Sequence, residues 1–400
     1  MKYIIVLGDG MADEPLEALG NRTPLEAANT PMLDELAPLS EIGLVHTIPE
    51  GMKPGSDTAN LAVLGYNPRK YYSGRSPLEA LSIGVPMKDT DIAVRCNIVT
   101  LSDNGEPYEE KTMIDHSSSE ISTEDAAILL EAVRKEFTNE KYRFYTGTSY
   151  RHCLIIDKGE VMELAQPHDI LTQRIGKYLP KDADLYEMQK RSFEILNNHP
   201  LNIERAAKGL NKANSLWFWG AGTKPLLSPF YEKTGKRGAM ISAVDLLKGI
   251  ATGAGMKVII VPGADGTLNT NYNGKALAAI DVLTKEDYDF VYIHVEAPDE
   301  MGHQGSIERK IKSIEYLDEK IIRPVKTAMD EFGQPYRLLV MPDHPTPIRC
   351  RTHTSDPVPY LLYDSEDIKK TEGQLYNEKQ GKASGIYEPE GYRLIDRLLR

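Results

Sequence analysis

The chain has 400 residues, 41% of them hydrophobic and 26% charged, with a formal net charge of −12. That length exceeds what one compact core organises, so two domains are expected. The acidic balance excludes general affinity for nucleic acid or an anionic membrane, which needs a basic face, but leaves room for a local basic pocket that takes a small anion.

In chain order, "KYIIVLGDG" reads as a buried strand closed by a Gly-rich turn that carries Asp9. "NTPMLDELAPL" predicts a helix with Asn29 or Thr30 as cap and Pro31 at the first helical position. "PGSDTANLAVLGYNP" runs from turn formers into an apolar helical pattern. There Ser56 reads equally as a plain N-cap or as a nucleophile at a helix start, where backbone N–H groups cradle a phosphate. Residues 88 to 230 form a different region. Its strands read as shorter and more polar ("DIAVRCNIVTLS", "RFYTGTSYRHCLIID"), and its helices are charge-rich ("STEDAAILLEAVRKEF").

Beyond it, "GMKVIIVPGADG", "YDFVYIHVEAPDE" and "YRLLVMPDH" share one form: a continuous apolar run closed by a turn with Asp, Glu or His. Runs without alternation predict strands buried on both faces, as in a parallel sheet. Helical stretches such as "ISAVDLLKGIATGAG" lie between them. The expected fold is therefore α/β, a doubly wound, mostly parallel sheet with a smaller α/β domain inserted. The expected domains are 1–87 with 231–400, and 88–230, hinged near "SIGVPMKD" and "AGTKPLLSP". The last stretch, from Gln374, reads as a loop and a capping helix. Cys96, Cys153 and Cys350 are odd in number, widely spaced and without a CxxC pair, which points away from disulfides or a cysteine zinc site and towards a reducing cytoplasm. No apolar stretch approaches the roughly 18 residues of a membrane span.

Acidic and imidazole side chains gather at the predicted strand ends: Asp9, Asp299 and His303 four apart, adjacent Asp343 and His344, and His353. Ligands bind at the carboxyl ends of strands in such sheets. A mixed Asp/His set of this size suits two divalent cations, which can clamp the oxygens of an in-line phosphoryl displacement. Any single Asp here is more often a cap or turn former than a ligand, and any single His more often a surface or satisfied core residue.

The segments "VLGDGMAD", "GSDTANLAVLGYNP", "HVEAPDEMGHQG", "MPDHPTP" and "THTSDPVPY" together resemble the cofactor-independent phosphoglycerate mutases of the archaeal type, members of the alkaline phosphatase superfamily, over nearly the whole chain. The resemblance implies an alkaline-phosphatase-like fold and a metal-dependent isomerase that interconverts 3- and 2-phosphoglycerate without 2,3-bisphosphoglycerate. Its implied metal sets are Asp9, Ser56, Asp343 and His344, and Asp299, His303 and His353, with Ser56 transiently phosphorylated. Two ions are implied, Mn²⁺ first, with Zn²⁺, Co²⁺ or Mg²⁺ as substitutes. Lys275 resembles a family lysine near the transferring phosphoryl, although a solvated helix lysine is an equal reading.

Arg75, Arg95 and Arg151 are candidates for the substrate's phosphate or carboxylate, because the guanidinium fork pairs with two oxygens; each reads equally as a structural ion-pair partner. Asp115 and His116 complete the candidate substrate residues. They lie in "MIDHSSSEIST", where the family usually carries an arginine-rich segment. That departure, with "HPLNIERAAKGLNKANSLWFWG", resembles a bacterial subgroup proposed to be homoserine kinases, so a kinase-type phosphotransferase is the alternative and a metal-dependent phosphatase a further one. The expected partner is a small phosphorylated metabolite bound between the domains, with the inserted domain as a lid.

Overall fold

A computed structural model describes all 400 residues. Its thirteen strands are β1 (Lys2–Gly8), β2 (Ser40–Val45), β3 (Ile92–Leu101), β4 (Met113–Asp115), β5 (Tyr142–Tyr145), β6 (Arg151–Ile156), β7 (Ser215–Thr223), β8 (Gly238–Ile241), β9 (Lys257–Ile259), β10 (Phe290–Val295), β11 (Tyr336–Met341), β12 (Val358–Asp364) and β13 (Tyr387–Glu388). The chain divides into two compact units, residues 1–72 with 226–400, and residues 73–225.

The first unit holds an eight-stranded sheet in the order β13-β2-β12-β11-β1-β10-β8-β9. The central run β11-β1-β10-β8-β9 is parallel, and β12 joins it antiparallel. The apolar runs of β1 and β10 are buried along almost their whole length, as strands covered on both faces should be. Ile4, Val6, Val291, Ile293, Leu338 and Val340 pack with Tyr272, Ala276 and Ala279 of the helix Tyr272–Thr284, and with Val325 and Met329 of Arg323–Phe332. Two details depart from the sequence expectation. The run "KVIIV" forms only the three-residue edge strand β9, half-buried along its length, because it lacks a partner on its outer side. The tail adds a short helix, Glu378–Ala383, and the strand β13 before its final helix.

The second unit is built on an antiparallel sheet: β4, β6 and β7 all pair with β3, and β5 with β6. β3 is neither short nor exposed; all ten of its residues are buried. Its polar residues are satisfied internally: Asn97 Oδ1 accepts from Trp219 Nε1 at 3.0 Å, and Thr100 Oγ1 donates to the Lys212 carbonyl at 2.8 Å. The helices Thr123–Phe137 and Ala183–Leu196 supply Leu129, Leu130, Val133, Leu185 and Leu196 to its core. The helix Arg75–Ser82, placed with the first domain by sequence, belongs to this unit: Ser76 Oγ accepts from Arg95 N of β3 at 2.9 Å, and Ala80 packs with Ala93 and Cys153.

Candidate active site

β1, β10 and β11 are neighbours and run parallel, so their carboxyl ends lie side by side. Asp9 directly follows β1. Asp299 lies in the helix Ala297–His303 just after β10, and Asp343 and His344 stand two and three residues beyond β11. This is the position at which an α/β sheet presents its functional side chains. Gly10 makes the close approach possible. Its φ is +59°, and a Cβ there would lie under 3 Å from Thr346 Oγ1 and Asp299 Oδ1. Its N–H instead donates to Asp343 Oδ1 at 3.1 Å.

Ser56 is the first residue of the helix Ser56–Val63; Gly55 holds the cap position, so the simple N-cap reading does not hold. Thr58 through Val63 are all buried, which fixes that helix and its start. Ser56 Oγ stands 3.1 Å from His344 Nε2. Asn60, one turn on, donates from Nδ2 to the Ser56 carbonyl at 2.8 Å and to Asp343 Oδ2 at 2.9 Å. His344 Nε2 also lies 3.4 Å from Asp343 Oδ2 and 3.6 Å from Asp9 Oδ1.

His303 Nε2 and His353 Nε2 face each other at 3.0 Å and meet Asp299 Oδ2 and Oδ1 at 3.2 and 3.4 Å. The rings of His344 and His353 lie 4.1 Å apart, so the two groups adjoin. The donor atoms fall into two triads, Asp9–Asp343–His344 and Asp299–His344–His353, each spanning less than 4.8 Å.

This donor set fits a pair of cations. Asp9 Oδ1 is buried with no hydrogen-bond partner. His303 Nδ1 lies 2.9 Å from the Arg351 carbonyl and His344 Nδ1 3.3 Å from the Pro345 carbonyl, contacts that place the protons on Nδ1 and leave Nε2 lone pairs aimed inward. Lone pairs and carboxylate oxygens converging in a buried space require positive charge. Electrostatics agree. Burial, then Asp343 and Asp299, push the Asp9 carboxyl well above its usual range. Asp299 is itself buried, but His303 and His353 outweigh that and hold it well below its usual range. Asp299 in turn favours the protonated imidazole of His303, raising it to about 9, a positive charge that a cation held between the two would replace.

Lys275 is not a solvated lysine. It is fully buried on the helix Tyr272–Thr284, its Nζ donates to the His294 carbonyl at 2.8 Å, and burial lowers it to about 8 against the pull of Glu296 and Asp265. In the other unit, Arg75 Nε and Arg95 Nη1 both pair with Glu79 Oε1, at 2.9 and 2.8 Å. Arg95 also stacks on Trp219, 4.5 Å from its ring, and Arg151 adds its charge to both Glu79 and Arg95. His116 packs edge-on against Tyr150 and His168, and His168 against Trp219. Asp115 is turned into its own loop, accepting from Ser117 N, Ser119 N and Asn211 Nδ2.

Sequence reasoning passed over Asn60, Tyr292, His294 and Thr346. Tyr292 O–H donates to Asn60 Oδ1 at 2.5 Å, His294 Nε2 lies 2.9 Å from Asp9 Oδ2, and Thr346 Oγ1 donates to Asp299 Oδ1. The available signal was in β10, where Tyr292 and His294 interrupt an apolar run on alternate positions and so point to one face.

A serine hydroxyl set against an inward-facing imidazole, among three buried carboxylates at the ends of parallel strands, defines a metal-dependent enzyme of the phosphoryl-transfer class. The family model for 2,3-bisphosphoglycerate-independent phosphoglycerate mutase matches residues 37–202. Proteins of that name from Methanosarcina barkeri and Methanothrix thermoacetophila are 46% and 45% identical to the chain, each over the full length of both sequences. The solved cofactor-independent phosphoglycerate mutase from Thermoplasma acidophilum matches all of the chain and 99% of its own length, with a TM-score of 0.64 at 27% identity. A Pyrococcus horikoshii protein matches with a TM-score of 0.80 at 28% identity, over 100% of the chain and 97% of its own. The chain belongs to the 2,3-bisphosphoglycerate-independent phosphoglycerate mutase family.

Proposed function

We propose that the protein interconverts 3-phosphoglycerate and 2-phosphoglycerate through a phosphorylated Ser56, with no 2,3-bisphosphoglycerate required. The observation that carries this is the Ser56 hydroxyl, 3.1 Å from His344 Nε2 within the carboxylate and imidazole set, in a chain whose full-length relatives carry the mutase name. Those relatives support the mutase and not the kinase or phosphatase alternatives.

Asp9, Ser56, Asp343 and His344 would hold one divalent ion and Asp299, His303 and His353 the other, manganese first and zinc, cobalt or magnesium as substitutes. Such ions neutralise the transferring phosphoryl and lower the pKa of a hydroxyl nucleophile. Ser56 Oγ attacks phosphorus while the ester bond to the substrate C3 oxygen breaks. The proton lost by Ser56 balances the one gained by that oxygen, leaving glycerate and phosphoserine. Attack by the C2 hydroxyl of glycerate then reverses the step, regenerates Ser56 and yields 2-phosphoglycerate. Asn60 holds the serine carbonyl and Asp343 together, so nucleophile and ligand move as one. Lys275 contributes positive charge through the His294 carbonyl and opposite Glu296. Arg75, Arg95, Arg151 and His116 would bind the anionic groups of the substrate in the second unit, with Trp219 as a platform for Arg95, whereas Asp115, whose carboxylate accepts from Ser117, Ser119 and Asn211, would shape the loop that carries His116. Three free cysteines and a small phosphorylated substrate fit a cytoplasmic enzyme; no helix is long and apolar enough to cross a membrane.

Phosphorus NMR of the protein with Mn²⁺ and 3-phosphoglycerate tests the reading. The 2-phosphoglycerate resonance should appear, and Ser56→Ala should abolish it while leaving the fold intact. Release of inorganic phosphate alone would make the protein a phosphatase, and residual interconversion near the wild-type rate in Ser56→Ala would remove the phosphoserine route.

A further inference from the structure

His294 stands in the middle of the sheet, fully buried, and belongs to neither triad of donor atoms. Its Nε2 lies 2.9 Å from Asp9 Oδ2 and its Nδ1 3.2 Å from Ser242 Oγ, just past the end of the neighbouring strand β8. Ser242 Oγ already accepts from Val244 N at 3.0 Å, so its own hydroxyl proton is free to donate to His294 Nδ1. A neutral imidazole that accepts at Nδ1 carries its proton on Nε2. That proton points at Asp9 Oδ2. Asp9 Oδ1 is left buried without a partner, 3.6 Å from His344 Nε2. One carboxylate oxygen is therefore tied back and the other is presented.

We propose that His294 is a positioning residue for the metal centre: Ser242 sets its tautomer, its Nε2–H pins Asp9 Oδ2, and Asp9 is thereby limited to a single metal-facing oxygen, Oδ1. The inference rests on the metal-centre reading above. The helix Tyr272–Thr284 holds the same strand in place, because Lys275 Nζ donates to the carbonyl of His294 itself. A ligand fixed by such a partner binds its ion more tightly, and loss of the partner typically weakens affinity by about 10–100-fold.

The test uses the full chain, stripped of metal and titrated with Mn²⁺ alone, with bound ion followed by calorimetry and by the paramagnetic resonance of free Mn²⁺. His294→Phe keeps the ring and removes the donor, so affinity should fall about 10–100-fold. His294→Gln returns an N–H near the Nε2 position and should recover most of that loss. Ser242→Ala releases the tautomer and should weaken binding by a few-fold. A His294→Phe protein that binds Mn²⁺ within about twofold of wild type overturns the proposal, as does a glutamine variant no better than phenylalanine, since either result reduces His294 to packing. If His294→Phe does not fold, Ser242→Ala decides, and unchanged affinity there overturns it. A wild-type chain that takes up neither Mn²⁺ nor Zn²⁺, Co²⁺ or Mg²⁺ overturns the metal-centre reading itself, whereas wild-type uptake with unresponsive variants overturns only the role of His294.

Discussion

Gly10 shows how little slack the candidate centre has. Its backbone sits at φ +59°, and the space where a side chain would start is taken by Thr346 and by both the main chain and carboxylate of Asp299. Gly10→Ala thus strains the backbone and pushes on a ligand at once. We expect a loss of about 1–3 kcal/mol in stability, with Mn²⁺ affinity falling alongside. Urea unfolding and metal titration on the same protein check both, and an alanine variant with wild-type metal affinity would show that the ligand loop absorbs the clash. At this scale the sequence was legible where a side chain carries its chemistry in its position. Asp9, Asp299, Asp343 and His344 all follow apolar runs, and that spacing alone marked them. His294 and Asn60 were not legible in this way, because their function lies in which atom they touch. A histidine inside a strand and an asparagine inside a helix read as ordinary buried polar residues until the partners, Asp9 Oδ2 and Asp343 Oδ2, are in place.

Elements were legible in proportion to how strongly burial shapes them. β1, β10 and β11 have no alternation because they are buried on both faces along almost their whole length, and the sequence shows it. β9 carries the same apolar letters but sits at the sheet edge, where a run without a second neighbour forms only three paired residues. β3 misleads in the other direction: Arg95, Asn97 and Thr100 look solvent-facing, yet each is buried and bonded. Helix Arg75–Ser82 gives no sequence sign of which unit it serves, since an amphipathic stripe does not name its partner.

One buried lysine links several elements behind the candidate centre. Lys310, on the helix Ile307–Leu317, is fully buried and donates to Asp13 Oδ2 at 2.8 Å, the Thr346 carbonyl at 2.8 Å and the Ala12 carbonyl at 3.2 Å. It thereby ties the turn after β1 to the loop after β11, the two segments that carry Asp9 and His344. Lys310→Met strands Asp13 and two carbonyls without their donor. We expect about 3–5 kcal/mol of destabilisation, the cost of breaking a buried pair from one side. The double variant Lys310→Met, Asp13→Leu should recover part of it, because no buried charge is then left unpaired. A single variant as stable as wild type would mean that water takes the place of the ammonium.

Across the whole molecule, Glu378 joins chain segments that are far apart in sequence. It accepts from Asp13 N at 3.1 Å and from Thr23 Oγ1 at 2.7 Å, connecting the tail helix Glu378–Ala383 to the N-terminal turns. Burial, only partly offset by those bonds, raises its carboxyl from 4.5 to about 7. Between these two values the folded protein keeps a proton that the unfolded chain has lost, so unfolding releases a proton and stability falls as pH rises. The stabilising contribution is complete below about 4.5 and gone once pH has passed through about 7. At about 1.4 kcal/mol per pH unit, its largest size is on the order of 3 kcal/mol. Glu378→Gln keeps the shape without the charge and should lack this decline, so the stability difference between wild type and variant should shift in the variant's favour as pH rises across the window. Both tryptophans, Trp217 and Trp219, lie in the unit formed by residues 73–225, and their fluorescence follows the wrong unit. Amide hydrogen exchange in β1, β10 and β11 reports the right one. Parallel pH profiles for wild type and Glu378→Gln in those strands would mean that the carboxyl titrates at its ordinary value and that the tail helix is held without a buried proton.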